Sequence, residues 1–189
     1  MPSLMAGASL NRQSRSRSMV KGAIAGAAGG LLGAAAMSGF ATARARVFGD
    51  GRLSRSKLTH LEASRYVSGS DLELDSIALA ADRIDRATGR KMSPGQKSIA
   101  AAGVHFGLGA LLGAVYGVIA ESSDVITRLH GMGFAVAEGG GGNLVWTAAT
   151  GTTRQYSAAD HAESVADHAV YGAVLETVRG LIRGRSNAG

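Results

Sequence analysis

The side chains that could do chemistry are few, and they sit inside or beside apolar stretches. His105, Tyr116, Glu138, His168, Tyr171 and Glu176 form the candidate polar site. An imidazole in such a setting can handle protons or bind a ligand. It can also be a buried group bonded to a neighbouring helix, and that structural reading is preferred for His105. His105 and Tyr116 fall about 20° apart on a helical wheel, and Tyr116 lies too far along the same helix to be the partner. His168, Tyr171 or Glu176 are the expected partners of His105. His161 and His168 are seven residues apart and lack the His-Glu-x-x-His zinc pattern. Asp160 and Glu163 read as capping residues. There are no cysteines, no Gly-x-Ser-x-Gly elbow and no framed carboxylate pair. No metal, cofactor or enzymatic reaction is expected.

The elements that carry these residues are apolar and built from small residues. Of 189 residues, 28 are Gly and 34 are Ala, with 46% hydrophobic overall, which excludes wholesale disorder. No charged residue occurs from Gly22 to Ala43 or from Ser98 to Ala120. About 20 residues span a bilayer core as a helix, so spans are expected at about 20–43 and 96–120. A secretory signal competes for the first, with Lys21 as its basic flank and Ala41-Thr42-Ala43 as its cleavage site. The run is longer than such signals use. Ser93-Pro94-Gly95-Gln96 predicts the start of the second helix, with Ser93 as N-cap and Gln96 completing a capping box.

Two further membrane-associated helices are expected, at 129–150 and 160–183. The first is interrupted by Glu138 and Gly139-Gly140-Gly141-Gly142, and reads as a broken span or a re-entrant piece. A phosphate loop fits less well, since no Lys-Ser/Thr follows. The second is amphipathic, with His161, Ser164, His168, Tyr171, Gly172, Glu176, Arg179 and Arg183 on its polar face. Residues 1–18 read as a disordered basic tail, ahead of a single helical domain over 19–189. Residues 44–92 read as a polar insert, either a solvated connector or one in which Ser70-Asp71-Leu72-Glu73 starts a short amphipathic helix that Gly89 ends.

Small residues recur at helical spacing on both spans. Gly22, Gly26, Gly29, Gly30 and Gly33 form one stripe; Gly103, Gly107, Ala110, Gly113, Ala114 and Gly117 form the other. Such stripes let helix backbones approach closely. Gly109 is expected about 40° outside the second stripe, with His105 and Tyr116 opposite it. An internal echo relates His105-x-x-x-Gly109-Ala110-Leu111-Leu112 to His168-x-x-x-Gly172-Ala173-Val174-Leu175 at an offset of 63.

With 20 basic and 14 acidic residues, the net charge is +6. The basic residues flank the apolar runs, as expected of membrane segments meeting anionic head groups. No reading helix or aromatic platform for nucleic acid is visible, so a lipid bilayer is the expected partner, with homo-oligomerisation open. With four spans the basic residues divide 12 to 8, and the larger group would be cytoplasmic.

His105-Phe106-Gly107, Gly113-Ala114-Val115-Tyr116-Gly117, Trp146, and His168-Ala169-Val170-Tyr171-Gly172 with Glu176 resemble the YagU-like family of small bacterial inner-membrane proteins. The likeness covers roughly 95–183 and the Gly-rich first span. Family members carry an acidic residue and a proline after the Trp, whereas Thr147 to Thr153 has neither. The resemblance implies a multi-pass inner-membrane protein of uncharacterised activity, with no reaction attached. The fold expected is thus an all-α integral membrane bundle. The alternatives are a glycine-zipper pore or membrane-assembly protein, and a peripheral basic helical protein.

Overall fold

The computed structural model describes residues 2–48, 83–89, 92–123, 125–137, 139 and 158–184. Among the described residues every regular element is helical. Three long helices carry the fold: α1 (Pro2–Phe48), α2 (Pro94–Ala120) and α3 (Ala158–Arg183). Short helical pieces occur at 83–88 and 132–137. Two stretches, Arg15–Arg44 of α1 and Gly95–Ala120 of α2, are long and apolar enough to cross a membrane.

The segment expected to be a disordered tail is helical from Pro2 and continuous with the first span. Between Gly7 and Gly22 no Gly or Pro interrupts the chain, and Arg, Gln and Met are good helix formers. At its other end α1 runs past Ala43 to Phe48, so the first turn of the polar insert is helix. Ala41, at the cleavage site a secretory signal would use, is buried.

The start of α2 follows its sequence. Ser93 Oγ accepts from the Gln96 N–H, and Gln96 Oε1 accepts from the Ser93 N–H at 2.9 Å. Gly89 ends the 83–88 turn with φ +62°. The Ser70–Glu73 capping box lies outside the described residues. So do Glu138 and the glycines of 140–142.

α1 is antiparallel to both α2 and α3, which are therefore parallel to each other. Gly22, Gly26 and Gly30 meet Gly117, Gly113 and Gly109 in that order. The two four-residue glycine series run in opposite directions and interlock backbone to backbone. A Cβ at Gly26 would overlap the Gly113 carbonyl, and one at Gly113 would overlap the Gly26 carbonyl. Gly29 and Gly33 face α3 instead, where a Cβ would come 2.5 Å from the Leu175 carbonyl oxygen and 2.8 Å from that of Tyr171.

The second stripe is rotated from its expected position. A Cβ at Gly103 or Gly107 meets nothing within 4 Å, while Gly109 packs against Ala34 and Gly30. The polar residues of α2 decide this. Ser98, His105 and Tyr116 are all buried, on an arc adjoining Gly109, Gly113 and Gly117. Turning Gly103 and Gly107 inward would have turned His105 and Tyr116 outward. His105 and Tyr116 therefore border the working glycine stripe and do not oppose it.

Of the segment expected as a span at 129–150, only 129–137 and 139 are described. Residues 125–131 are turns, and among its described residues only 132–137 and 139 are helical. His130 (φ 48°) and Gly131 (φ +73°) adopt left-handed backbone just before the helix at 132–137.

Candidate functional site

The polar interior of the bundle is the candidate site, and it forms two layers. The first lies where α2 and α3 end. Glu121, the C-cap of α2, receives Arg183 Nη2 at 2.7 Å and Arg183 Nε at 2.9 Å, both from α3. Arg179 Nη1 lies 3.4 Å from the same carboxylate and donates Nε and Nη2 to Glu176 at 2.6 and 2.7 Å. Ser18 of α1 donates to Glu121 and accepts from Arg183 at 3.3 Å. The Glu121 and Arg179 side chains are only 2% and 1% exposed. Burying such charges is tolerable only when they are paired and hydrogen-bonded. Here two acids and two bases cancel. Tyr116 completes the layer: the Arg179 guanidinium sits 5.8 Å from its ring centre, and its hydroxyl donates to the Ile126 carbonyl at 3.4 Å.

The second layer lies toward the start of α2 and α3. Arg44 of α1 pairs with Asp167 at 3.2 Å and Glu163 at 3.5 Å, and its guanidinium lies 5.8 Å from the Phe40 ring. The Asp167 side chain is fully buried. Glu163, expected to cap α3, instead forms the outer half of this cluster. His168 Nδ1 donates to the Ser164 carbonyl at 2.8 Å, and its ring lies flat against Gly139, where any Cβ would collide with it.

His105 and Tyr171 lie next in depth. His105 Nε2 is 3.1 Å from Ser38 Oγ and 3.3 Å from the Ala34 carbonyl oxygen, both on α1. Both of these partners lie on α1, whereas the sequence pointed to α3. The antiparallel glycine register places Ala34 opposite His105, one turn beyond Gly30 and Gly109. Tyr171 donates to the Gly109 carbonyl at 2.7 Å.

The structure thus joins Tyr116 with Glu176 in one layer and places His105, His168 and Tyr171 near the other. Glu138 and Trp146 lie outside the described residues, and His161 is exposed at the start of α3. Sequence reasoning missed Glu121, Arg44, Asp167, Ser18 and Ser38 as members of the site. Glu121 reads as a span terminator and Arg44 as a flank. Only the pairing of three helices reveals that both side chains fold inward. Among the described residues no group of three metal-type ligands occurs.

The echo at offset 63 has a spatial counterpart. Tyr171 meets Gly109 and Arg183 meets Glu121, each at a separation of 62. The two repeated helices therefore stand side by side at nearly matching heights. Gly172 packs on Gly131 much as Gly109 packs on Gly30. Compared with known proteins, the chain matches no family model, no curated protein and no solved structure.

Proposed function

We propose that this is an integral, multi-pass protein of a bacterial inner membrane, a self-contained helical bundle that carries no reaction of its own. The observation that carries the reading is an inverted distribution of side chains. The interior holds Ala25, Ala34, Ala101, Ser98, His105, Asp167 and Arg179, with Met37, Tyr116, Tyr171 and Leu175 as its larger apolar members, while Ile24, Leu31, Leu32, Ile99, Leu108, Leu111, Val115 and Leu181 face outward. A bundle in water buries its large aliphatic residues. In lipid the outside is apolar, and helices associate through small residues and interior polar bonds.

α3 fits the same reading. Its charged residues from Glu163 to Arg183 are all engaged with other side chains. Its exposed Thr177 donates to the Ala173 carbonyl at 2.7 Å, which satisfies the hydroxyl without water. α3 also meets α1 near both ends of the stretch Arg15–Arg44, through Arg44 at one end and Ser18 at the other. If α1 crosses the membrane, α3 crosses with it. The resemblance to the YagU-like family favours the same location. Basic residues concentrate at the end holding Arg44 and the 44–92 insert, which makes that end cytoplasmic.

The glycines of α1 and α2 are used within one chain. That favours a closed bundle over a pore assembled through those same faces. The deciding experiment is selective extraction of membranes. The protein is expected to stay in the pellet through alkaline carbonate and high salt and to leave only with detergent. Release by salt would favour the peripheral basic protein.

A further inference from the structure

Resting on the membrane reading above, we propose that the outward face of α1 from Arg17 to Leu31 binds one anionic phospholipid. Its phosphate lies between Arg17 and Lys21, and an acyl chain runs along Val20, Ile24 and Leu31. Arg44, Lys97, Arg179 and Arg183, near the ends of the helices, each pair with a carboxylate. Arg17 and Lys21 are exposed, and neither has such a partner among the described residues. Glu121 stands at the level of Gly22, yet it turns inward to Arg179 and Arg183. Arg15, also exposed, falls on the opposite side of the helix from Arg17.

Arg17 and Lys21 are one turn apart, with about 6 Å of rise and about 40° of rotation between them. A phosphate can take the planar fork of the arginine and the point charge of the lysine together. The same face continues as hydrocarbon. Val20, Ile24 and Leu31 are 56%, 65% and 46% exposed, and all fall within about 60° of Arg17 on a helical wheel. Gly26, which packs on α2, falls about 180° away. Between Ile24 and Leu31 the outer side carries Ala27 and Ala28, small enough for a chain to lie close to the backbone.

Depth fits the same ligand. The charge-free run from Gly22 to Ala43 rises about 32 Å as a helix, close to the ~30 Å of a bilayer core. Lys21 then stands at the edge of the hydrocarbon, and Arg17 one turn further out, among the head groups. A diffuse positive surface attracts anionic lipid without fixing its place. Here cations and apolar strip share one face, so head group and chain are held together.

The chain has no cysteine, so a single introduced one can report the lipid beside it. Ile24→Cys and Val115→Cys are each labelled with bimane in the full chain, in vesicles of phosphatidylcholine and phosphatidylglycerol. Val115 is exposed on α2 at the height of Ile24, since Gly113 meets Gly26 and Gly117 meets Gly22, but its face carries no cation. Acyl-brominated phosphatidylglycerol and phosphatidylcholine are compared as quenchers. At 24 the anionic lipid should be preferred at least about fivefold, and at 115 the two should quench alike. Arg17→Gln with Lys21→Gln should bring 24 to parity. If that double variant does not fold, either single change decides, and should lower the preference at least about twofold. Equal preference at 24 and 115 overturns the site in favour of diffuse attraction. A preference at 24 that survives loss of both cations overturns it too. Quenching at 115 with none at 24 means that protein covers the face, and also overturns it. No quenching at either position by either lipid overturns the membrane reading itself.

Discussion

Gly26 of α1 and Gly113 of α2 touch backbone to backbone, with neither position leaving room for a methyl group. They form the middle rung of a three-rung ladder with Gly22 and Gly117 on one side and Gly30 and Gly109 on the other. Close approach of this kind supplies dispersion contacts where lipid offers no hydrophobic drive between helices.

The ladder sets the first prediction. Gly26→Leu, Gly113→Leu and Gly109→Leu should each lower stability in detergent by about 1–3 kcal/mol or prevent folding. Gly103→Leu and Gly107→Leu, which point into open space, should change it little. Thermal unfolding of the five purified variants checks this. Equal losses at 103 and 113 would show that the ladder does not hold the helices.

Arg179 carries the second. Removing it leaves Glu176 without its bidentate partner and takes one of two arginines from Glu121. Arg179→Met should cost about 3–5 kcal/mol through the uncompensated buried charge. Glu121→Gln should cost less, because the amide oxygen still accepts from Arg183. The order of the two midpoints in denaturant unfolding is the readout, and a reversed order would place the main burden on Glu121.

A third concerns His105 and Ser38. A double-mutant cycle on His105→Ala and Ser38→Ala should give a coupling of about 0.6 kcal/mol, the average for polar pairs between helices in a membrane. His105→Gln should recover part of the loss by bonding Ser38 or the Ala34 carbonyl.

The fourth is a pH effect outside the apolar spans. Asp85 accepts the Met92 N–H at 2.8 Å and lies 3.4 Å from Lys97 Nζ. The Met92 bond is the main cause holding its carboxyl below its ordinary value of 3.8; desolvation opposes it, and the hydrogen bond and charge of Lys97 add to the lowering. A carboxylate with a depressed folded value contributes above its unfolded value and loses that contribution as pH falls through the folded one. The tether between the 83–88 turn and the start of α2 should therefore persist at pH 4 and loosen in stronger acid. The Met92 amide shift in NMR should titrate with a midpoint under 3.8. Asp85→Asn should abolish that titration.

Much of the fold was legible because local chemistry decides it. The Ser93–Gln96 box needs only four neighbouring residues, and it forms as read. The stripe on α1 was equally readable, since that helix carries its glycines on neighbouring faces used by two partners. α2 was harder. Its small residues ring the helix, and the side that packs is chosen by where Ser98, His105 and Tyr116 must go. The charged layers were hidden for a related reason. Arg44 and Glu121 each end an apolar run, where a solvated flank and an inward ion pair look alike in one dimension. Asp167 meets Arg44 across 123 positions of chain, and no periodicity reports such a separation.

The connection between Glu121 and α3 also sets a schedule for assembly. When α1 and α2 have been synthesised, their glycine ladder can close at once, but the basic partners of Glu121 lie 58 and 62 residues further on. At about 5–20 residues per second, ribosomes deliver them some ~3–12 s later. For that interval the nascent hairpin holds Glu121 without Arg179 and Arg183, and Arg44 without Asp167 and Glu163. A chain arrested before Arg179 should remain in that waiting state, exposed to quality-control proteases, and release of the arrest should rescue it.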